Sequence, residues 1–305
     1  MSVSAHSEPR CTAAADSVEV CISGRARDLG DGFTVRRLLP AQARQMVGPF
    51  IFFDHMGPVS LPPGRGLDVR PHPHIGLSTV TYLFEGDILH RDSLGTEQPI
   101  RPGELNWMTA GRGIVHSERS PGAARNSDSR VHGLQLWAAL PREFEETDPS
   151  FQHFAAAQLP ELDIPGARAR LVAGKAFGET SPVQVHSPLF YVDVTLDKGA
   201  ALQLPDEYAE RGLYVVDGEI SCDGCSYRSG ELLVFHANAP ARIEAPAASR
   251  IMLLGGQPVD GTRLIWWNFV SSTRERMERA RRDWRERRFP VVPGDEEEYI
   301  PLPEA

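Results

Sequence analysis

Cysteines and long apolar runs are both scarce in this 305-residue chain. Its four cysteines, at positions 11, 21, 222 and 225, are too few and too unevenly placed for the disulfide framework of a small secreted domain. No run approaches the roughly 18 consecutive apolar residues of a membrane-spanning helix. The N-terminal residues have neither the basic leader nor the apolar core of a signal peptide. We therefore expect reduced thiols, no membrane association and a cytoplasmic location.

The sequence also lacks a block of one charge. Its 41 acidic and 32 basic residues give a formal net charge of −9, and the two signs are interspersed over most of the chain. The densest basic segment, 274–288, holds eight arginines, but acidic residues alternate with them and the acidic stretch DEEEY follows. This pattern predicts a solvated helix with internal ion pairs, and we expect no direct nucleic-acid binding.

Glycine and proline are abundant, at 27 and 25 residues, and they separate many short apolar runs. Short runs between turn residues predict an all-β barrel or sandwich. An internal repeat is visible as well. YLFEGDI (82–88) resembles YVVDGEI (214–220), and GELNWMTAG (103–111) resembles GELLVFHAN (230–238). The same unit occurs twice, so we predict two similar barrels in tandem.

The composition along the chain suggests four segments. Residues 1–25 are small and polar and predict a flexible N-terminal arm, and 26–150 would form the first barrel. Residues 151–185, rich in Pro, Ala and Gly and with one expected strand at Ala169 to Ala173, would connect it to a second barrel within 186–305. That last segment also contains a helix and an extended tail. Ser272 and Glu275 form a capping-box pattern that predicts the start of the helix, and Pro290 stops it.

Two pairs of polar residues predict a metal site in the first barrel. His72 and His74 in RPHPHIG, and His116 and Glu118 in AGRGIVHSERS, each have i, i+2 spacing. In a strand, residues at that spacing project from one face. We expect the two strands to face each other across the barrel and to supply four ligands. Prolines 71 and 73 remove backbone donors, which predicts an edge strand at the barrel mouth.

Three imidazoles and one carboxylate suit a borderline divalent ion, and the set resembles the facial triad of non-haem iron enzymes with one histidine added. Iron is our first choice, with zinc, manganese, nickel and copper as alternatives. Aligning the two repeats places Leu204 and Asp206 opposite the first pair, and Ile243 and Ala245 opposite the second. The second barrel therefore lacks the ligands, and we predict one metal ion per chain.

The ordered segments GPFIFFDHMGP, RPHPHIGLSTVTYLFEG, GELNWMTAGRGIVHSE, GLQLWAALP, WWNFVSS and FPVVPGDEEEYIPLP resemble those of the pirin family. The resemblance runs from about residue 30 to the end. It implies two tandem cupin (jelly-roll) barrels, with iron in the N-terminal one. The family's four ligands fall on His72, His74, His116 and Glu118. General cupins carry a glutamate shortly after His-x-His, but here Ser78 and Thr79 stand there, and Glu118 takes its place as in pirins.

Some pirins resemble quercetin 2,3-dioxygenases, which open the central ring of a flavonol with O2 and release carbon monoxide. The resemblance thus implies a small aromatic substrate such as a flavonol, with Lewis acidity supplied by the bound ion and Glu118 as the catalytic base. Such chemistry needs an apolar pocket. The candidates for its lining are Phe52, Phe53, Trp107 and Met108, for which core packing is the alternative role.

Other pirins resemble regulators that bind a transcription factor or a metabolic enzyme. The rival hypothesis is therefore an iron- or redox-sensing protein with a protein partner. A roomy pocket beside the ion favours the enzyme, and a closed site favours the sensor. A storage-like or vestigial cupin is a third alternative, against which the complete ligand set argues.

Cys222 and Cys225 have the spacing of a redox pair or half a zinc site, but Asp223 and Gly224 between them predict a hairpin turn and a structural role. His55 and His132 could orient a ligand or pack in the core.

Overall fold

Short antiparallel strands make up most of the computed structural model, which describes residues 16–28 and 34–303. The strands from the first half of the chain are β1 (Val18–Ser23), β2 (Arg25–Asp28), β3 (Thr34–Leu39), β4 (Phe50–Leu61), β5 (Asp68–His74), β6 (Leu77–Glu85), β7 (Ile88–Asp92), β8 (Glu97–Ile100), β9 (Leu105–Thr109), β10 (Ile114–Arg119), β11 (Ser129–Ala139) and β12 (Ser150–Phe154).

The strands from the second half are β13 (Glu161–Ile164), β14 (Ala167–Ala176), β15 (Glu179–Thr180), β16 (Leu189–Leu196), β17 (Ala201–Gln203), β18 (Glu210–Asp217), β19 (Glu219–Cys222), β20 (Cys225–Arg228), β21 (Glu231–Phe235), β22 (Arg242–Glu244), β23 (Ser249–Gly256), β24 (Leu264–Trp266) and β25 (Phe269–Ser271). The α-helices are α1 (Gly122–Arg125) and α2 (Arg274–Arg285). Neither helix of the described chain has the length and apolar character that a membrane crossing requires.

Each barrel consists of one long sheet and one four-stranded sheet. In the first barrel the strand orders are β12-β9-β6-β11-β4-β3-β2 and β5-β10-β7-β8. In the second they are β1-β21-β18-β23-β16-β14-β13, with β15 beside β14, and β17-β22-β19-β20. The repeated sequences lie at equivalent places, because β6 and β9 of the first barrel correspond to β18 and β21 of the second. The predicted all-β fold with two tandem cupin barrels is confirmed.

The long sheets of the two barrels pack against each other, and this contact explains the composition of β6. Nearly all of its residues are buried, because both faces of the strand are covered. Val80 and Tyr82 belong to an apolar cluster that includes Tyr191 and Tyr214 of the second barrel. Thr81, on the opposite face, points into the first barrel. We call the shared cluster the interbarrel core.

The strand pairing moves the predicted segment boundaries. The predicted arm extends to residue 25, but β1 pairs with β21 as an edge strand of the second barrel, and residues 1–15 lie outside the described chain. Of the predicted connection 151–185, β12 completes the first barrel, whereas β14 pairs with β16 of the second. The strand predicted at Ala169 to Ala173 is present as part of β14, whose alternate residues are buried in the second core, so it belongs to the second barrel and not to a connection.

The C-terminal segment, residues 264–303, packs on the first barrel instead of the second. Phe269 of β25 forms a bridge with Ile75, and the Ile300 N–H donates to the Pro71 carbonyl at 2.9 Å. The predicted helix is present, but its N-cap is Thr273, whose hydroxyl accepts from the Arg276 N–H at 3.3 Å. Ser272 instead donates its hydroxyl to Glu145 at 2.9 Å. The end of the chain therefore covers the strand that carries His72 and His74.

The Cys-x-x-Cys segment forms the predicted two-residue hairpin between β19 and β20. Asp223 and Gly224 both have positive φ, 48° and 77°, which the mirror-image hairpin turn requires. Cys222 and Cys225 are directly opposed in this hairpin, and both are buried in the second barrel. Their burial agrees with the structural role that the turn residues predicted.

Candidate metal centre

The candidate ligands lie on two adjacent strands of the four-stranded sheet. β10 pairs with β5 so that His116 is directly opposite His72. The expectation that the two strands face each other across the barrel is therefore wrong: they are hydrogen-bonded neighbours. β5 is the edge strand that its prolines predicted. Alternation within each strand turns His72, His74, His116 and Glu118 into the barrel, and we call this set the four candidate ligands.

Three of the four lie close together. One ring nitrogen from each of His72, His74 and His116 lies within 4.8 Å of the others. Nε2 of His74 and Nε2 of His116 are 3.1 Å apart, and all three side chains are buried. These nitrogens would hold a divalent ion through their lone pairs, and the donor set fits a metal of the borderline class.

Backbone carbonyls orient two of these imidazoles. His72 donates its Nδ1–H to the Arg70 carbonyl at 2.8 Å, and His74 donates its Nδ1–H to the Asn268 carbonyl at 3.0 Å. These hydrogen bonds fix the tautomer and leave Nε2 of each ring as the free donor atom, as in metal-binding histidines generally. Asn268 comes from the C-terminal segment, which therefore contributes to the site.

Burial keeps the three imidazoles neutral. It lowers the pKa of His72 to about 4, and it lowers the pKa values of His74 and His116 well below the usual value. Mutual repulsion among the imidazoles lowers the last two further. Neutral imidazole is the metal-binding form, so no proton has to leave these rings at neutral pH.

Glu118 lines the same cavity, outside the group of ring nitrogens. Its Oε1 accepts a hydrogen bond of 3.2 Å from the Thr81 hydroxyl, and the same hydroxyl lies 3.0 Å from Oε1 of Gln135. Burial raises the pKa of Glu118, against the opposing effects of His90 and the Thr81 hydrogen bond. The carboxyl group is therefore suited to exchange a proton with a molecule in the cavity.

His90 and Asp92 of β7 are a part of the site that the sequence analysis missed. Asp92 lies directly opposite His116 in the sheet, and its Oδ2 is 3.1 Å from Nε2 of His90. Nδ1 of His90 is 3.4 Å from Nδ1 of His116. Both side chains are buried. Their i, i+2 spacing on a strand was the available signal, but it could not identify β10 as the neighbour.

A cavity of about 360 Å³ adjoins the four candidate ligands. Phe52 lines it, as predicted, together with Trp137, which the sequence analysis missed. The two rings are stacked with centroids 3.9 Å apart, and Trp137 meets His74 edge to face at 5.1 Å. Of the other predicted lining residues, Phe53 and Trp107 belong to the interbarrel core, and Met108 packs in a separate apolar cluster inside the first barrel.

Apolar residues fill the equivalent place in the second barrel. β17 pairs with β22 so that Leu202 is opposite Ile243, as His72 is opposite His116. Leu202 therefore corresponds to His72, two positions earlier than the sequence alignment placed it. These side chains, with Leu204 and Ala245, belong to the apolar core of that barrel. The only group of three or more potential ligands found in the described chain is the His72, His74 and His116 cluster.

The other two histidines considered as orienting residues lie elsewhere. Nδ1 of His55 is 2.5 Å from the Tyr214 hydroxyl, and its Nε2 is 2.7 Å from Nε2 of His132. Tyr214 belongs to the second barrel, so these groups link the two barrels. Both are hydrogen-bonded at the interbarrel contact, so they have the packing role and do not orient a candidate ligand.

Comparison with known proteins identifies the family. The Pirin family model matches residues 32–138, and the model of the Pirin C-terminal cupin domain matches residues 191–290. The chain belongs to the pirin family. A pirin-like protein of Caulobacter vibrioides is 50% identical over 94% of this pirin and 100% of its own length. Pirin of Rattus norvegicus is 30% identical, over 90% and 93% of the two chains.

Among solved structures, quercetin 2,3-dioxygenase of Acinetobacter baumannii superposes on this pirin with a TM-score of 0.87. The two are 36% identical, and the match covers 94% of this chain and 95% of the other. Both barrels therefore have the arrangement of that protein.

Proposed function

We propose that this pirin binds one iron ion through His72, His74, His116 and Glu118, and opens the central ring of flavonols as quercetin 2,3-dioxygenases do. The cavity beside the four candidate ligands carries the proposal. Its volume of about 360 Å³ lies within the range of roughly 300 to 1,000 Å³ that small-molecule sites occupy. A roomy cavity next to the ligands favours an enzyme over a closed sensor. The cytoplasmic location belongs to the same proposal.

The bound ion would supply Lewis acidity toward the 3-hydroxyl of the flavonol. Glu118 would take the proton of that hydroxyl, because among the described acidic residues that line the cavity, Asp28, Asp54 and Glu118, it is the one on the strand of His116. The Thr81 hydroxyl donates to Oε1 of Glu118, so Oε2 would be the atom that takes the proton. Trp137 and Phe52 present a stacked aromatic surface against which the planar flavonol would pack.

The test combines metal analysis with turnover. Metal-free protein is reloaded with Fe(II) under anaerobic conditions, and quercetin consumption and carbon monoxide release are then measured in air. We expect iron-dependent turnover that Glu118→Gln abolishes. Glu85→Gln is the matched control, because Glu85 lies at the end of β6 outside the cavity lining and should leave turnover unchanged. Iron-loaded protein that turns over no flavonol contradicts the dioxygenase.

One observation favours the alternative, an iron- or redox-sensing protein that binds a transcription factor or a metabolic enzyme. The Asn268 carbonyl joins His74 to the C-terminal segment, and Ile300 bonds to the ligand strand at Pro71. Occupancy of the site could therefore alter the surface that this segment forms. A tightly held iron without flavonol turnover, together with iron-dependent hydrogen exchange in 264–303, is the result that this alternative predicts.

A further inference from the structure

A second cavity, of about 530 Å³, lies beside the metal cavity. Its charged lining side chains are Arg25, Arg27 and Arg37, and no acidic residue of the described chain lines it. Arg37 lines both cavities, so the two spaces adjoin at this residue. We call the second cavity the arginine groove.

The strand pairing places the side chains of the three arginines on one face of the sheet. β2 pairs with β3 so that Arg25 is directly opposite Arg37, and Arg27 follows Arg25 by two residues. Directly opposed residues in an antiparallel pair have Cβ atoms roughly 4.5 to 5.5 Å apart, and like charges there repel. An anion between the arginines removes this repulsion.

The arginine groove offers guanidinium N–H groups that can donate hydrogen bonds to a ligand. Among the described residues, the side chains of Arg25 and Arg27 make no salt bridge or hydrogen bond, although Arg27 is close enough to Asp54 to oppose the rise that burial causes in the pKa of that carboxyl group. Both side chains are exposed. Arg37 donates from Nε and Nη2 to the two carboxylate oxygens of Asp54, at 2.8 Å each, which leaves Nη1 for another acceptor. Arg44, in contrast, is already paired with Glu19 and Glu210.

An aromatic wall connects the groove to the metal centre. Trp137 contacts His74, Phe52 stacks on Trp137, and the Arg37 guanidinium lies 4.4 Å over the Phe52 ring. A planar ligand that packs along this wall with one end at the four candidate ligands therefore directs its other end toward Arg37 and the groove.

We propose that the arginine groove binds an anionic group carried by the aromatic ligand of the metal cavity: a carboxylate, a sulfate or sulfonate, or a phosphate ester. The preferred substrates are then acidic polyphenols, with the reacting ring at the metal centre and the anion between Arg25, Arg27 and Arg37. Guanidinium groups suit such acceptors because they offer paired, charge-assisted hydrogen bonds. This proposal rests on the proposed function, because the ligand occupies the same metal cavity, but it concerns binding of the ligand and not its turnover.

The test compares quercetin with quercetin 5′-sulfonate, which carries a permanent negative charge. Both are titrated into the metal-loaded and the metal-free protein at low salt, with quenching of tryptophan fluorescence as the readout. We expect the sulfonate to bind about tenfold more tightly than quercetin, the effect of one charge-assisted contact. The preference should fall as salt is raised, because the groove is exposed.

Arg25→Gln/Arg27→Gln should bring the ratio of the two dissociation constants close to one. Arg168→Gln is the matched control: Arg168 is an exposed strand arginine of the second barrel and should leave the ratio unchanged. A wild-type protein without preference for the sulfonate, or a preference that survives the double substitution, overturns the proposal. If the iron-loaded wild-type protein prefers the sulfonate but turns over no flavonol, the dioxygenase function is overturned and the arginine groove is not.

Discussion

The four candidate ligands show what can be predicted from sequence at the residue scale. They lie within one short stretch each of β5 and β10, so the i, i+2 pattern revealed them before any tertiary contact was known. Asn268 could not be found in this way, because the residue it contacts, His74, is 194 positions away in the chain. His90 likewise meets His116 only through sheet pairing. The candidate ligands could be predicted because alternation along each strand aligns them, whereas Asn268 and His90 could not, because only the tertiary fold brings them to the site.

We expect the Thr81 hydroxyl to position the carboxylate of Glu118, one of the four candidate ligands. Thr81→Val removes its hydrogen bond to Glu118 while keeping the shape of the side chain. We expect about a tenfold loss of metal affinity, the lower end of the effect of orienting residues, and about 1 kcal/mol of lost stability. Competition with a chromophoric chelator and urea denaturation measure the two quantities.

Thr79→Val is the control for this prediction. Thr79 is buried on the same face of β6, and no hydrogen bond from its hydroxyl to Glu118 is present. If the two valine variants bind metal equally well, Thr81 does not position Glu118.

At the scale of secondary-structure elements, the main difference between sequence and structure is the C-terminal segment. The sequence predicts its helix, but the order of the chain places the segment with the second barrel, which it follows. Phe269, Trp284 and Val292 instead pack with Ile75 and Val115 of the first barrel. Periodicity shows which face of an element is apolar, but it does not show which neighbour covers that face.

The segment should therefore support the metal site. Phe269→Ala removes a fully buried ring next to Asn268, whose carbonyl orients His74. We expect about 3 to 5 kcal/mol of lost stability and weaker metal binding. Thermal unfolding and chelator competition measure these effects.

Phe235→Ala provides the comparison, because Phe235 is equally buried but lies in the core of the second barrel. It should lower stability by a similar amount and leave metal affinity unchanged. Equal losses of metal affinity in the two variants would mean that the effect reflects general destabilisation and not the contact with His74.

At the scale of the whole molecule, we expect the interbarrel core to make the two barrels one cooperative unit of folding. The sequence repeat predicted two barrels but not the apolar sheet faces that join them, nor the buried contact in which the Tyr82 hydroxyl donates to Asp193 at 2.8 Å. Each barrel alone would expose a large apolar face to water. We therefore expect the two sequence repeats to unfold together.

This arrangement predicts a single thermal unfolding transition, and bound metal should raise its midpoint temperature. Free metal at 100 times its dissociation constant should stabilise the native chain by about 2.7 kcal/mol. Differential scanning calorimetry of the metal-free and metal-loaded protein measures this effect. Two transitions, of which metal shifts one, would show that the barrels unfold independently.

The central claim is that the first barrel holds one metal ion through the four candidate ligands, and metal analysis tests it most directly. The wild-type protein, His74→Ala and His236→Ala are each reloaded anaerobically with Fe(II), desalted and analysed by mass spectrometry for bound metal. His236 is an exposed histidine of the second barrel and serves as the control. We predict one equivalent of iron in the wild type and the control, and almost none in His74→Ala. A full equivalent retained by His74→Ala would contradict the ligand assignment.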